Sequence, residues 1–203
     1  MNKSKLYHIA KEYEDKELFD KAYQFYLEAV LSEHDADAMY SLGMMYYNGE
    51  YVNSNYNKAG RYFGLAYDNG ATIEAWTLII AGSYWERKAG ENDDNIALEN
   101  AIKYYQKAVE HGVRYGSECL GKIYYELGEY NKAYEHLVQI DERSACGLYY
   151  MGKMYDEGKV VKKNTENAIS YYIKAVEVGG LYAEEYGEDM HTALARERLQ
   201  AMA

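Results

Sequence analysis

The sequence predicts an all-α fold, a right-handed α-solenoid of about five antiparallel helical hairpins closed by a C-terminal capping helix. One pattern of small and aromatic residues recurs five times along the 203 residues. Within each copy the apolar residues follow offsets of three, four and seven, which place them on one face of a helix. The chain contains no proline, as expected for helices joined by short glycine and asparagine turns.

Each predicted first helix has a small residue near its centre, followed three residues later by an aromatic residue. These small residues, called first anchors below, are Ala10, Gly43, Gly82, Gly121 and Gly152. Antiparallel helices approach closely where glycine or alanine leaves room for a ring of the other helix. Because glycine costs about 1 kcal/mol in a helix interior, we expect helix packing at these positions to offset that cost.

Each predicted second helix carries its own small residue, called the second anchor, and an apolar stripe that follows it. The second anchors are Ala22, Ala59, Ala101, Ala133 and Ala168. The residues seven positions later are Ala29, Ala66, Ala108, Ile140 and Ala175. The residues three and four positions after the second anchors are Phe25 and Tyr26, Tyr62 and Phe63, Tyr104 and Tyr105, His136 and Leu137, and Tyr171 and Tyr172. These offsets again describe one helix face, which we expect to pack against the first helix.

The distance between the two anchors of a hairpin indicates the repeat type. It is 12 residues in hairpins 1 and 4, 16 in hairpins 2 and 5, and 19 in hairpin 3. The longer turns of hairpins 2 and 5 read Gly-x-x-Val-x-x-Asn, ending at Asn55 and Asn164, and each Asn can cap the helix that follows. The 16-residue form resembles the Sel-one-like repeat, a relative of the tetratricopeptide repeat, and the 12-residue form resembles the tetratricopeptide repeat itself.

The resemblance implies one domain over residues 1–203, of the kind found in small bacterial adaptor proteins that consist of repeats alone. The predicted repeats span about 4–34, 36–71, 72–112, 114–140 and 143–179, and a polar capping helix spans about 183–202 with Leu194 and Leu199 facing inward. In the third repeat, the polar segment 88–95 is expected to be a flexible loop.

The composition excludes some classes of function. A net charge of −11 disfavours nucleic acid and suits a protein or peptide partner, with a basic segment as one option. The N-terminal residues lack a signal peptide and no apolar run reaches membrane-spanning length, so we expect a cytoplasmic protein with no membrane partner. Cys119 and Cys146 do not form a disulfide framework and are expected to act as small buried apolar residues.

No motif in the sequence indicates catalysis, a cofactor or a metal. The segment 116–122 ends in Gly-Lys like a phosphate-binding loop, but Ile123 stands where serine or threonine would hold magnesium, and the glycines fall inside a predicted helix. The five histidines show no metal-ligand spacing. Paired carboxylates are expected in a chain this acidic and are read as solvated surface. We therefore expect no enzyme activity.

The resemblance assigns the concave side of the array to the first helices, at offsets of −6, −3, +1, +4 and +5 from the first anchor. The predicted protein-binding groove contains Tyr7, Tyr40, Met44, Tyr47, Ile79, Glu86, Glu118, Lys122, Tyr125, Tyr149, Lys153 and Asp156. Tyrosine rings would anchor a partner segment there, and acidic residues would set its charge preference. Two alternatives stay open: these tyrosines only pack between repeats, or the chain is a structural or regulatory subunit acting through its convex face or ends, including by self-association.

Overall fold

The computed structural model describes residues 4–92, 94–139, 143–187 and 189–202. Over these residues the secondary structure consists of eleven α-helices and no strand, which confirms the all-α prediction. The helices are α1 Lys5–Glu14, α2 Phe19–Glu33, α3 Ala36–Asn48, α4 Tyr56–Asp68, α5 Thr77–Asn92, α6 Asn95–Glu110, α7 Tyr115–Glu126, α8 Tyr130–Leu137, α9 Ala145–Glu157, α10 Thr165–Tyr186 and α11 Met190–Met202.

The helices form two compact units. Unit 1, Met1–Gly112, contains three hairpins, α1–α2, α3–α4 and α5–α6. Unit 2, Val113–Ala203, contains the hairpins α7–α8 and α9–α10, followed by α11. Within each unit the first helix of a hairpin also packs on the second helix of the hairpin before it, and in unit 2 α9 lies between α7 and α11.

The small anchors allow the close approach that the sequence predicts. A methyl carbon built on Gly43 would lie 2.6 Å from the Phe63 ring, and one on Gly152 would lie 2.7 Å from the Tyr172 ring. Gly82 meets Tyr105 and Gly121 meets Leu137 in the same way, each at 2.5 Å. Each partner lies four residues after its second anchor, and the second anchors are fully buried. Glycine at these positions is therefore a packing requirement.

The helix starts after the longer turns also follow the sequence. The side-chain oxygen of Asn55 accepts a hydrogen bond from the Lys58 backbone N–H, and that of Asn164 accepts one from the Asn167 backbone N–H, each at 2.9 Å. Both therefore cap the helix that follows, as predicted.

The third hairpin differs from the prediction at its turn. We expected a loop over 88–95, but α5 continues to Asn92, so that expectation is wrong for 88–92. Arg87 and Lys88 both pair with Glu91 one turn away, and such pairs stabilise the last turn of a helix. Asp94 then caps α6, and Asp93 lies outside the described residues.

The C-terminal boundary also differs. Helix α10 passes through Gly179 and Gly180 and continues to Tyr186, so the last helix begins at Met190 and not near 183. The side chains of Thr192 and Asp189 lie where a side chain on Gly179 would stand, so the glycine allows the start of α11 to pack directly on α10. On α11 the fully buried residues are Thr192 and Ala195, whereas the predicted inner residues Leu194 and Leu199 are half-buried. Ile140, predicted to continue the fourth stripe, lies outside the described residues.

Across the described ranges, no helix combines the length and apolar character needed to cross a membrane.

Candidate protein-binding face

In unit 1 the predicted groove residues divide by burial. Tyr7 on α1 and Ile79 on α5 are buried, at 9% exposure each, and act as core residues here. The α3 residues Tyr40, Met44 and Tyr47 are half-buried and keep part of their surface in solvent, as does Glu86 on α5. Helix α3 therefore offers most of the accessible predicted surface in this unit.

Tyr47 lies at the centre of an aromatic cluster. Its ring centroid is 4.9 Å from that of Trp76, 5.3 Å from that of Tyr56 and 6.5 Å from that of Phe63. The Tyr40 ring lies 5.7 Å from Phe63. Tyr56 is 60% exposed, and Trp76 is half-buried. These contacts hold an aromatic surface in place before any partner arrives.

Trp76 and Tyr56 were missing from the predicted site. Trp76 stands six residues before Gly82, at the −6 offset, so the resemblance contained a signal for it. Tyr56 lies on the second helix, three residues before Ala59, where the predicted groove did not extend. It reaches the face because α4 begins beside the end of α3.

In unit 2 the corresponding residues are more buried. Tyr125, Tyr149 and Asp156 are 5%, 7% and 9% exposed, whereas Glu118, Lys122 and Lys153 are half-buried. The Tyr125 ring packs between Tyr130 and Tyr150, at 5.2 Å from each. For the two buried tyrosines, the packing alternative is favoured.

The acids at the +4 offset have a structural role that was not predicted from the sequence. The buried Tyr105 hydroxyl donates a hydrogen bond of 2.7 Å to Glu86. The Tyr172 hydroxyl donates one of 3.4 Å to Asp156. In hairpin 1 the Tyr26 hydroxyl donates to Glu14, which also stands four residues after its first anchor. Burial and these carboxylates raise the phenol pKa of Tyr26 and Tyr172 above 10.0.

The remaining hairpins show the complementary arrangement. Phe63 and Leu137 stand where the other hairpins have the buried tyrosine, and neither has a hydroxyl. Their +4 residues are Tyr47 and Tyr125 in place of an acid. A buried hydroxyl without an acceptor is costly, and in the three hairpins with a buried tyrosine at this position the acid at the +4 offset supplies the acceptor. Glu86 and Asp156 are therefore acceptors within their own hairpins.

Helix α11 covers the end of the unit 2 face. The His191 ring lies 5.8 Å from the Tyr149 ring and 5.7 Å from the Tyr150 ring. Arg198 pairs with Asp156 from the same helix. Two predicted groove residues, Tyr149 and Asp156, thus contact the capping helix.

Burial shifts the pKa of two titratable groups near this end. Burial raises the pKa of the Cys146 thiol, and the neighbouring Glu118 carboxylate raises it further, so the thiol stays protonated. Burial likewise raises the pKa of Glu118. The described residues contain no group of three or more His, Cys, Asp or Glu side chains placed to hold a metal. The segment 116–122 lies within α7, as predicted, and forms no phosphate loop.

We expect the docking of α11 to be sensitive to acid because of His191. Its Nε2 is buried without a hydrogen-bond partner in the described structure, and burial together with the charge of Lys122 lowers its pKa from 6.5, against the opposite effects of Asp189 and Glu126. A lowered pKa means that the unfolded state binds the proton more readily, so the stability of unit 2 should fall as the pH drops below 6.5.

The His191→Phe variant, which keeps an aromatic ring and removes the titration, should lose less stability between pH 7.5 and pH 5 than the wild type. Hydrogen exchange of the α11 amides at the two pH values measures this. Equal losses in both proteins would contradict a role for His191.

Comparison with known protein families finds matches to one repeat family over part of the chain. A family model described as the Sel1 repeat matches residues 36–70, 96–113 and 147–180. The first and third matches cover hairpins 2 and 5, which the sequence singles out, and the second covers α6. A sel1-like repeat-containing protein of Acanthamoeba polyphaga mimivirus is 27% identical over 124 residues, which is 60% of this chain. The chain spans about a fifth of that relative's length, since the match covers 21% of it.

Solved structures align with most of this chain. The crystal structure of MamA aligns with 87% of this chain and 97% of its own chain, at a TM-score of 0.53 and 24% identity. A Sel1 repeat protein from Oxalobacter formigenes aligns with 98% of this chain and 87% of its own, at a TM-score of 0.49 and 21% identity. The MamA alignment supports the repeat fold and, at this identity, the fold alone.

Proposed function

Because three segments of this chain match the Sel1 repeat model, we propose that it is a non-catalytic adaptor or scaffold that binds a peptide or protein segment on its first-helix face. Sel1 repeats generally serve as protein-interaction scaffolds. The observation that carries the proposal is the partly exposed aromatic surface of unit 1, formed by Tyr40, Met44 and Tyr47 of α3 with Tyr56 and Trp76.

This surface has the properties of a protein-binding hot spot. Tyrosine, tryptophan and methionine are enriched in interface cores, where rigid rings add contact area with little loss of side-chain entropy. Tyr47 is already fixed between Trp76 and Tyr56. Because these rings are already held in place, little side-chain entropy would be lost when a partner binds.

The charge of the chain supports a partner with basic residues. The net charge of −11 favours encounter with positive segments and disfavours nucleic acid. We place this activity in the cytoplasm as part of the same proposal.

One observation favours the alternative, a structural or regulatory subunit that acts through its other faces or self-associates. Large apolar side chains stand exposed on second helices, with Leu31 of α2 at 71%, Ile96 of α6 at 70% and Leu181 of α10 at 77%. Each of them would add apolar contact area if a partner or a second copy of the chain packed on its helix.

A variant pair separates the two proposals. Tyr40→Ala with Tyr47→Ala removes two rings of the α3 face, and Leu31→Ala with Ile96→Ala removes comparable apolar area from second helices. We expect the first variant to bind a partner purified from the organism that produces this protein, the host, at least about tenfold more weakly. The reason is that hot-spot aromatics typically contribute about 2 kcal/mol or more. The second variant should bind as the wild type does.

Circular dichroism of each variant checks that the helices are retained. Unchanged affinity in the tyrosine variant would contradict the α3 face as the binding surface. A loss confined to the Leu31 and Ile96 variant, or to its self-association in light scattering, would support the alternative.

A further inference from the structure

We propose that the aromatic group Tyr47, Tyr56 and Trp76 of unit 1 binds the side chain of a lysine in the partner segment. The inference rests on the proposed function and specifies the chemistry of the residue that the face receives. Its main support is a second aromatic pair in unit 2, which already binds lysines of the chain itself.

The two tyrosine pairs occupy equivalent places in their hairpins. Tyr47 and Tyr125 each stand four residues after a first anchor, and Tyr56 and Tyr130 each stand three residues before a second anchor. The centroids of Tyr47 and Tyr56 are 5.3 Å apart with the rings edge to face at 86°. Those of Tyr125 and Tyr130 are 5.2 Å apart at 71°. The repeat therefore builds the same ring pair twice.

In unit 2, lysines of the following hairpin cover this pair. The Lys153 ammonium lies 4.7 Å from the centroid of Tyr125, and the Lys159 ammonium lies 4.7 Å from that of Tyr130. Both distances are within the range in which a cation is attracted to the face of a ring. Tyr125 is only 5% exposed and Tyr130 is half-buried.

In unit 1 the following hairpin supplies no such lysines. Lys153 and Lys159 stand one and seven residues after Gly152, and the residues at the same offsets from Gly82 are Ser83 and Ala89. Over the described ranges, no lysine or arginine lies above the rings of this group. Its tyrosines are correspondingly more open, with Tyr56 at 60% exposure. The pair that is covered internally in unit 2 is thus accessible from solvent in unit 1.

Charge near the open group suits a cationic side chain. Glu74 accepts a hydrogen bond from the Trp76 indole N–H, which holds a carboxylate at the edge of the rings. Its charge also contributes to raising the pKa of the neighbouring Tyr40 phenol, after burial. A lysine offers a slender apolar stem for the rings and an ammonium for the carboxylate. The chain's own occupants of the equivalent pair are both lysines, which favours lysine over arginine.

Fluorescence of Trp76 can test this directly. In a Trp85→Phe background Trp76 is the sole tryptophan, and octalysine serves as the probe at physiological salt. We expect a saturable change in Trp76 fluorescence, and an affinity about five- to tenfold lower in Tyr56→Leu, since a cation–π contact contributes about 1 kcal/mol. Tyr130→Leu, at the pair already covered by lysine, should leave the affinity unchanged.

A second variant tests the site without removing any ring. Ser83→Lys places a lysine at the offset of Lys153, where it should cover the Tyr47 ring and weaken octalysine binding about fivefold or more. Gln24→Lys, an exposed position on α2, adds the same charge elsewhere and should have little effect. Comparing the two separates occupation of the rings from a change in net charge.

Equal octalysine affinity in the wild type, Tyr56→Leu and Ser83→Lys would overturn the inference, as would tighter binding of octa-arginine than of octalysine. Absence of any saturable fluorescence change would also overturn it. The proposed function is tested separately, by the affinity of the host partner for the Tyr40→Ala, Tyr47→Ala protein.

Discussion

Replacing Gly152 with leucine is expected to destabilise unit 2 by about 2 kcal/mol. The first side-chain carbon would lie 2.7 Å from the Tyr172 ring, and that ring is fully buried, so it has little room to move. Overpacking costs about 1–3 kcal/mol, with leucine toward the upper end, and the better helix propensity of leucine offsets less than about 1 kcal/mol. Hydrogen exchange of the α9 and α10 amides measures the change within the unit.

Gly180→Ala is the matched control. Gly180 also lies within a helix, but a methyl group there would meet no atom within 4 Å. Alanine should therefore stabilise the protein by about 0.5–1 kcal/mol through helix propensity. Equal responses at the two positions would show that propensity alone, and not nesting against a ring, explains the glycines of the first helices.

The second large effect concerns the tyrosine and acid that occur together. Phe63→Tyr adds a hydroxyl where the hairpin has no acid at the +4 offset, and an unsatisfied buried hydroxyl costs about 1–3 kcal/mol. Tyr47→Glu supplies an acid at the +4 offset. In hairpin 3 the residue at this offset, Glu86, accepts the hydrogen bond from the Tyr105 hydroxyl. In a double-mutant cycle, we expect a favourable coupling of about 1 kcal/mol or more between the two changes.

The coupling is measured because Tyr47→Glu alone also loses contact with Trp76, which the cycle subtracts. Urea unfolding of the four proteins gives the energies. A coupling near zero would show that the added hydroxyl and the added carboxylate do not hydrogen-bond to each other. The structural role assigned to Glu86 would then be wrong.

The repeat architecture could be predicted because it depends on residues whose size is visible in the sequence. The spacing of Gly43 and Gly152 predicts close helix contacts, and in the structure an aromatic ring lies against each glycine. Asn55 and Asn164 predict the starts of the helices that follow them, because each side chain can cap a helix. Capping is a local effect and helix nesting follows a periodic pattern, so both can be predicted from a single sequence.

Helix ends were harder to predict, because long-range contacts decide them. Nothing local shows that α10 passes through Gly179, since the glycine is required by the side chains of Thr192 and Asp189 across the helix pair. The end of α5 is a local case: Glu91 pairs with Arg87 one turn earlier, which favours a final helical turn in a segment of otherwise loop-like composition.

The site was predicted only in outline. Offsets identify which residues share the first-helix face, but not which of them the neighbouring helix covers. Tyr149 and Tyr40 stand at the same offset, yet α11 packs on the former while the latter stays partly open. The sequence does contain one pattern that indicates the structural role of the acids. Glu86 and Asp156 occur only in hairpins whose second helix carries a buried tyrosine.

Hydrogen exchange in the presence and absence of the host partner tests the central claim, that the first-helix face of unit 1 receives a partner segment. We expect added protection in α3 and at the start of α4, around Tyr47 and Tyr56, with α2 and the outer side of α6 unchanged. Protection confined to the second helices, with α3 exchanging as in the free protein, would contradict it.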